Sequence, residues 1–200
     1  MVTIVIVIGA YLLGSVSFAV LTSYLFRLPD PRSYGSKNPG ATNVLRTGQK
    51  AAAALTLVGD AAKGWLAVWL AKSIALQYGL GQEVTAAAAL AVFLGHLYSI
   101  FLRFQGGKGV STALGVLLAL NPWLGLVTLA TWIPVFLIWR ISSLAALTAA
   151  ALVPFYSLYI FGLSSITLAV LSMSLLLIWR HKSNIKNLIA GTESGFNKSG

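Results

Sequence analysis

Cysteine is absent from this 200-residue chain, which excludes disulfides, thiolate catalysis and cysteine-ligated metals. Acids are nearly as scarce: Asp30, Asp60, Glu83 and Glu193 are the four carboxylates, and His96 and His181 the two histidines. Scattered this way, they offer no metal-ligand spacing and no Ser-His-Asp arrangement of a soluble hydrolase. Charge as a whole is thin, at 9% of residues against about 25% in soluble domains. With 58% hydrophobic residues and a mean hydropathy of +0.84, too little polar surface remains for a soluble globule. An integral membrane protein is the class that fits. The first apolar run lacks a basic stretch ahead of it and is long enough to span, so no cleavable signal is expected in residues 1–26.

What charge there is has one sign, with a net +10. The cations sit in loops between apolar segments, as expected from positive-inside topology and anionic lipid head groups, and a nucleic-acid partner is not implied. A bilayer span needs roughly 20 apolar residues. Candidate spans cover residues 2–26, 51–71, 84–102, 110–120, 123–139, 144–161 and 164–179. The division at Asn121-Pro122 rests on proline's missing donor and its restriction of the preceding residue. It leaves an eleven-residue helix of only about 16 Å. Charge decides the parity. With seven crossings and the amino terminus outside, Arg27, Arg32, Lys37, Arg46, Lys50, Arg103, Lys108, Arg140, Arg180, Lys182, Lys186 and Lys198 all fall inside; of the 14 Lys and Arg, only Lys63 (within a span) and Lys72 do not. The expected fold class is all-α: a polytopic membrane helical bundle of seven transmembrane helices, one short or broken, in a single domain over residues 1–200.

Three polar runs interrupt the apolar chain, and this topology puts all three on the cytoplasmic face. Residues 34–46 read Tyr-Gly-Ser-Lys-Asn-Pro-Gly-Ala-Thr-Asn-Val-Leu-Arg. Gly35 and Gly40 permit close backbone approach, while Ser36, Asn38, Thr42, Asn43, Lys37 and Arg46 supply donors and charge for an anion. An ordinary interhelical turn is the competing reading. Residues 105–112 place Gly106-Gly107-Lys108-Gly109 just before an apolar helix, whose amino terminus and lysine suit a phosphate. The spacing is not that of a nucleotide-hydrolysing P-loop. In residues 181–193, His181 and Asn184 share a helix face, Lys182 and Lys186 another, and Glu193 follows; alone, it reads as a solvated tail carboxylate.

Asp60 and Lys63, three apart inside a span, have two readings: a functional pair, as ionisable groups in spans usually are, or a structural ion pair. His96 reads either as a packing residue or as part of the site. A transporter for a phosphorylated small molecule is the alternative function, although such sites tend to lie at the midplane between related halves, and no internal repeat is visible. A scaffold binding anionic lipid would show plain Lys/Arg clusters instead.

Together the runs resemble the bacterial PlsY family of acyl-phosphate:glycerol-3-phosphate acyltransferases. The family pattern Gly-Ser-x-Asn-x-Gly-Ala-Thr-Asn is matched from Gly35 to Asn43. Gly-His…Gly-Gly-Lys-Gly-Val is matched by Gly95-His96 and Gly106 to Val110, and His-x-x-Asn-Ile…Gly-Thr-Glu by His181 to Glu193. Lys37 stands where the family commonly has glycine, and Ser99 where proline often follows the histidine.

The resemblance implies transfer of a fatty acyl group from acyl phosphate to the 1-hydroxyl of sn-glycerol 3-phosphate, without coenzyme A, acyl-carrier protein, cofactor or metal. The products would be phosphate and 1-acyl-glycerol 3-phosphate (lysophosphatidic acid), made at the inner membrane as an early step of phospholipid synthesis. A soluble phosphate acyltransferase of the PlsX family would supply the donor. The carried-over site has His181, Lys108 and Asn184 as catalytic residues. Ser36, Asn38, Gly40, Thr42, Asn43, Arg46, His96, Gly106, Gly107, Ser143 and Glu193 are its substrate-binding residues. Either His181 or the displaced phosphate would take the hydroxyl proton.

Overall fold

The computed structural model describes residues 1–195, so Lys198 lies outside the described residues. All regular structure among them is helical. The elements are α1 (Val2–Ser15), α2 (Phe18–Leu25), α3 (Ala41–Leu45), α4 (Lys50–Gln77), α5 (Gln82–Leu97), α6 (Val110–Leu120), α7 (Pro122–Trp139), α8 (Ser142–Phe161), α9 (Ser165–Arg180) and α10 (Lys182–Ile189), with one 3-10 turn at Ile100–Leu102. Four stretches are long and apolar enough to cross a membrane: α4, α5 with its 3-10 extension, α7 and α8. The count is five if α1 and α2 form one bent span, and α6 and α9 are shorter apolar helices.

Small residues let these helices approach closely, as in membrane packing generally. A Cβ on Gly14 would strike the Val92 carbonyl and one on Gly95 the Tyr11 carbonyl, so α1 and α5 touch backbone to backbone. Gly64 and Gly115 do the same for α4 and α6, against Thr112 and Ala61. Phe93, Leu97, Val116, Leu124 and Val170 fill the core between them. The outward faces stay apolar, with Leu55, Val58, Trp65 and Trp69 of α4 exposed along one side.

Two expected continuous spans are broken. Residues 2–26 bend by 41° between α1 and α2, with Val16 extended and Ser17 capping α2. No proline causes this. The freed carbonyls find partners on other helices: Ser99 Oγ donates to Ser15 O at 2.5 Å, and Lys63 Nζ donates to Val16 O at 2.6 Å. Among apolar helices a backbone break is tolerated only with such replacements. Residues 84–102 are likewise divided, because α5 stops at Leu97 and the chain passes through Tyr98 and Ser99 into the 3-10 turn.

The break expected at Asn121-Pro122 is present. Asn121 Oδ1 accepts from the amides of Trp123 and Leu124 at 2.8 and 3.3 Å, while Pro122 opens α7 where its missing N–H costs nothing. On the other side, Lys72 Nζ donates to the Ala119 and Leu120 carbonyls that end α6. This cation caps the carboxyl end of the eleven-residue α6.

Candidate active site

The loop from α2 to α4 carries the first run and is closed by one side chain. Asn43 Oδ1 accepts from the Ser36 amide at 3.1 Å, and Asn43 Nδ2 donates to the Pro31 and Tyr34 carbonyls at 2.7 and 3.2 Å. Both amide hydrogens of Asn43 are therefore spent on the loop itself. Closing the loop puts Gly35 and Lys37 in the left-handed region, at φ 55° and 54°. Glycine is at ease there and lysine is not, which is the physical reason a glycine suits position 37. Upstream, the Arg32 guanidinium pairs bidentately with Asp30, and its side-chain hydrogen bonds hold that carboxyl below its ordinary range.

The second run folds back onto α5. Gly106 N–H donates to Leu97 O at 3.1 Å and Gly107 N–H to His96 O at 3.0 Å. The carbonyls of the same two glycines accept from Arg180, Nη2 to Gly106 O at 2.8 Å and Nε to Gly107 O at 3.2 Å. The amides of Gly106 and Gly107, two residues expected to bind substrate, are thus consumed in fixing the turn. Gly109, at φ 88°, then starts α6. Lys108 is left projecting inward, its Nζ donating to Asn184 Oδ1 at 2.6 Å.

The third run spans the α9–α10 junction. His181 is buried, and its Nδ1 lies 2.8 Å from Leu177 O. A carbonyl only accepts, so Nδ1 carries the proton and Nε2 keeps its lone pair. Burial pushes the imidazole pKa down to about 4 despite the Leu177 bond, leaving the ring neutral at physiological pH. Glu193 does not dangle as a tail carboxylate. Its Oε1 accepts from Ser143 Oγ of α8 at 2.6 Å and from Asn184 Nδ2 at 2.5 Å. Burial works to raise the Glu193 pKa, but the hydrogen bonds from Ser143 and Asn184 outweigh it and hold the carboxylate ionised. Desolvation draws the Lys108 pKa down, with Glu193 opposing. Arg46 reaches across to Ser194 Oγ at 2.9 Å, tying the first run to the third.

These contacts surround a polar cavity of about 240 Å³. Ser36, Asn38, Gly40, Thr42, Asn43, Arg46, His96, Lys108, Ser143, His181, Asn184 and Glu193 all line it. Of the residues expected in the site, Gly106 and Gly107 do not: Gly106 faces an outer vestibule, and Gly107 packs on the His96 ring. That vestibule brings together Arg32, Lys37, Arg46, Lys108, Arg180 and Lys182 against the single carboxylate Glu193. Beneath the polar cavity lies an apolar one of about 170 Å³, walled by α6, α7, α8 and α9. Leu57, Val110, Ser111, Trp132 and Ala146 belong to both, so the two compartments meet.

Sequence reasoning missed Arg180, Ser111, Trp132 and Phe136. Arg180 directly precedes His181 in the last turn of α9, a position where a cation usually reads as a helix-end charge. The aromatic pair, four apart on α7 and stacked at 4.8 Å, looks from sequence like any lipid-facing stripe.

Comparison with known proteins gives a consistent answer. Residues 4–191 match the family model described as Glycerol-3-phosphate acyltransferase. A glycerol-3-phosphate acyltransferase of Nitrosospira multiformis is 62% identical over 198 residues, covering 99% of this chain and 98% of the relative. One of Nitrosomonas eutropha is 60% identical over 199 residues, covering all of both chains. Among solved structures, the glycerol 3-phosphate form of PlsY, an integral membrane glycerol 3-phosphate acyltransferase, superposes with TM-score 0.91 at 35% identity, covering 98% of this chain and 96% of that one. Its lysophosphatidic acid form gives 0.89 at 34% with the same coverage.

Proposed function

The chain belongs to the glycerol-3-phosphate acyltransferase family, and from that premise we propose that it acylates the 1-hydroxyl of sn-glycerol 3-phosphate with acyl phosphate as donor. The products are 1-acyl-glycerol 3-phosphate (lysophosphatidic acid) and phosphate. The observation that carries the reading is the junction of a cationic polar cavity with an apolar one through shared walls. Such a site suits one water-soluble phosphate and one phosphate bearing an alkyl chain.

In the reaction, the hydroxyl oxygen attacks the acyl carbonyl carbon, the bond from that carbon to the bridging oxygen of the acyl phosphate breaks, and phosphate leaves with the electron pair on that oxygen. Acyl phosphate is already activated, so the protein supplies chiefly positioning and charge. Lys108 and Arg46 bind phosphate, and Asn184, itself oriented by Glu193, holds Lys108 in place. Ser36, Asn38 and Thr42 hold the acyl-phosphate head. The lone pair of His181 Nε2 accepts from the attacking hydroxyl and orients it. An imidazole with a pKa of about 4 is a weaker base than a phosphate dianion, whose second pKa is about 6. We therefore take the displaced phosphate as the proton acceptor.

We assign seven crossings with the amino terminus outside, counting α1–α2 as one bent span and α6 and α9 as short ones. The site then lies on the cytoplasmic face of the inner membrane, where a soluble phosphate acyltransferase of the PlsX family would deliver the donor. The convergence of all three basic runs on one cavity supports this parity. The test is direct. Purified protein in detergent, given acyl phosphate and glycerol 3-phosphate without coenzyme A, is expected to form lysophosphatidic acid. A requirement for acyl-CoA, or flux across vesicles without product, refutes the assignment. His181→Gln is expected to retain part of the turnover, and complete loss would restore the side-chain base.

A further inference from the structure

Beneath the polar cavity lies a cluster of charges for which the acyl transfer has no direct use. Lys63 Nζ sits 2.8 Å from Asp60 Oδ1, and both side chains are almost fully buried within α4. His96 Nδ1 of α5 lies 3.6 Å from the same Asp60 oxygen and 3.1 Å from Thr112 Oγ1 of α6. Lys63 also donates to Val16 O at the α1–α2 break. Four helical segments thus meet at one ion pair inside an otherwise apolar bundle.

His96 is the pivot. Its carbonyl accepts the Gly107 N–H, and its ring edge lies so close to Gly107 that a Cβ there would collide with Nε2. Its Nδ1 meets Thr112 on the far side of the turn. Residues 107–112, which carry Lys108, are therefore tied to one histidine at both ends. The ring also stands 3.6 Å from Asp60 Oδ1, and Asp60 is neutralised by Lys63. Asp60 also borders the cavity, but a carboxylate is the wrong charge to touch a phosphate. Well-packed hydrophobic residues would join the helices at least as stably as a buried ion pair; the Val16 bond accounts for a donor at Lys63 but not for the carboxylate beside His96.

Resting on the acyltransferase reading, we propose that Asp60, Lys63, His96 and Thr112 form a buried strut that positions Lys108, with Asp60 and Lys63 as positioning residues.

The decisive variant replaces both charges, Asp60→Leu with Lys63→Met, so that no unpaired ion remains. It is expected to fold in detergent, melting somewhat lower because Val16 O loses its Lys63 donor, while kcat/KM for glycerol 3-phosphate falls on the order of 100-fold, the scale of a displacement of about 1 Å in a catalytic group. Hydrogen exchange of the Gly106 and Gly107 amides should quicken. In a Lys108→Ala background the same pair should cost nothing further, because its effect runs through Lys108. A folded double variant with wild-type kinetics, or a loss that adds in full to that of Lys108→Ala, overturns the strut. Should the double variant fail to fold, Thr112→Val cuts only the far tie: about a tenfold loss restored by Thr112→Ser supports the strut, and unchanged kinetics overturns it. If the wild-type protein itself forms no product, the acyltransferase reading fails, and the exchange measurement still decides whether the strut holds the turn.

Discussion

The first and second polar runs have similar compositions, glycine-rich with a lysine among the glycines, yet they are held in opposite ways. The first closes on itself: Asn43 gathers the Pro31 and Tyr34 carbonyls and the Ser36 amide within a dozen residues of chain. The second is held from outside, its amides by the end of α5 and its carbonyls by Arg180, 73 and 74 residues away. A self-closed loop exposes its remaining hydroxyls and amides to the cavity. An externally clamped turn instead delivers one side chain, Lys108. Two motifs of similar composition thus make different contributions: the first a polar lining, the second a single aimed cation.

Substitutions can break this contrast or sharpen it. The largest effect is expected from Lys108→Ala, which removes the sole cation the second run contributes to the cavity; kcat/KM should fall by about 10³-fold, the upper range for losing one charge-stabilising donor. Substantial residual turnover in a product assay would contradict the assignment. Gly107→Ala should follow, on the order of 100-fold, because the added Cβ meets the His96 ring and shifts the turn without touching Lys108. A near-silent Gly107→Ala would show that the turn tolerates movement. Asn43→Ala should cost about tenfold, mainly in KM, since it loosens the lining while leaving Lys108 aimed. If instead kcat collapsed with KM unchanged, Asn43 would have a role in the chemical step. The smallest effect belongs to Lys37→Gly, which relieves a left-handed lysine at φ 54° and should raise stability by up to about 1 kcal/mol. Thermal melts would register it as a modest rise, with kcat unaltered.

Much of the fold was legible because its causes are local. Hydropathy reports on each segment by itself, and the α6–α7 break follows from proline's missing N–H and the cap of the adjacent Asn121. The α1–α2 break was not legible. Residues 14–18 contain no proline, and the bend depends on Lys63 and Ser99 arriving from α4 and the α5 terminus to take up the freed carbonyls. In the site, twelve of the fourteen expected residues border one cavity, since a phosphate needs cations and donors, and the loops were where the sequence held them. Glu193 shows what was hidden: a carboxylate near the chain's end gains its place from Ser143, fifty residues earlier.

The sequence by itself determined a helical membrane chain with basic, glycine-bearing loops, because composition and periodicity act over a few neighbouring residues. Only the tertiary structure decided which amides of those loops remain for a ligand and which are spent on the fold. A hydrogen bond forms within about 3 Å, and which distant groups come that close is settled by packing. The Gly106 and Gly107 amides, exposed in any reading of the sequence, are taken by the Leu97 and His96 carbonyls on that ground alone.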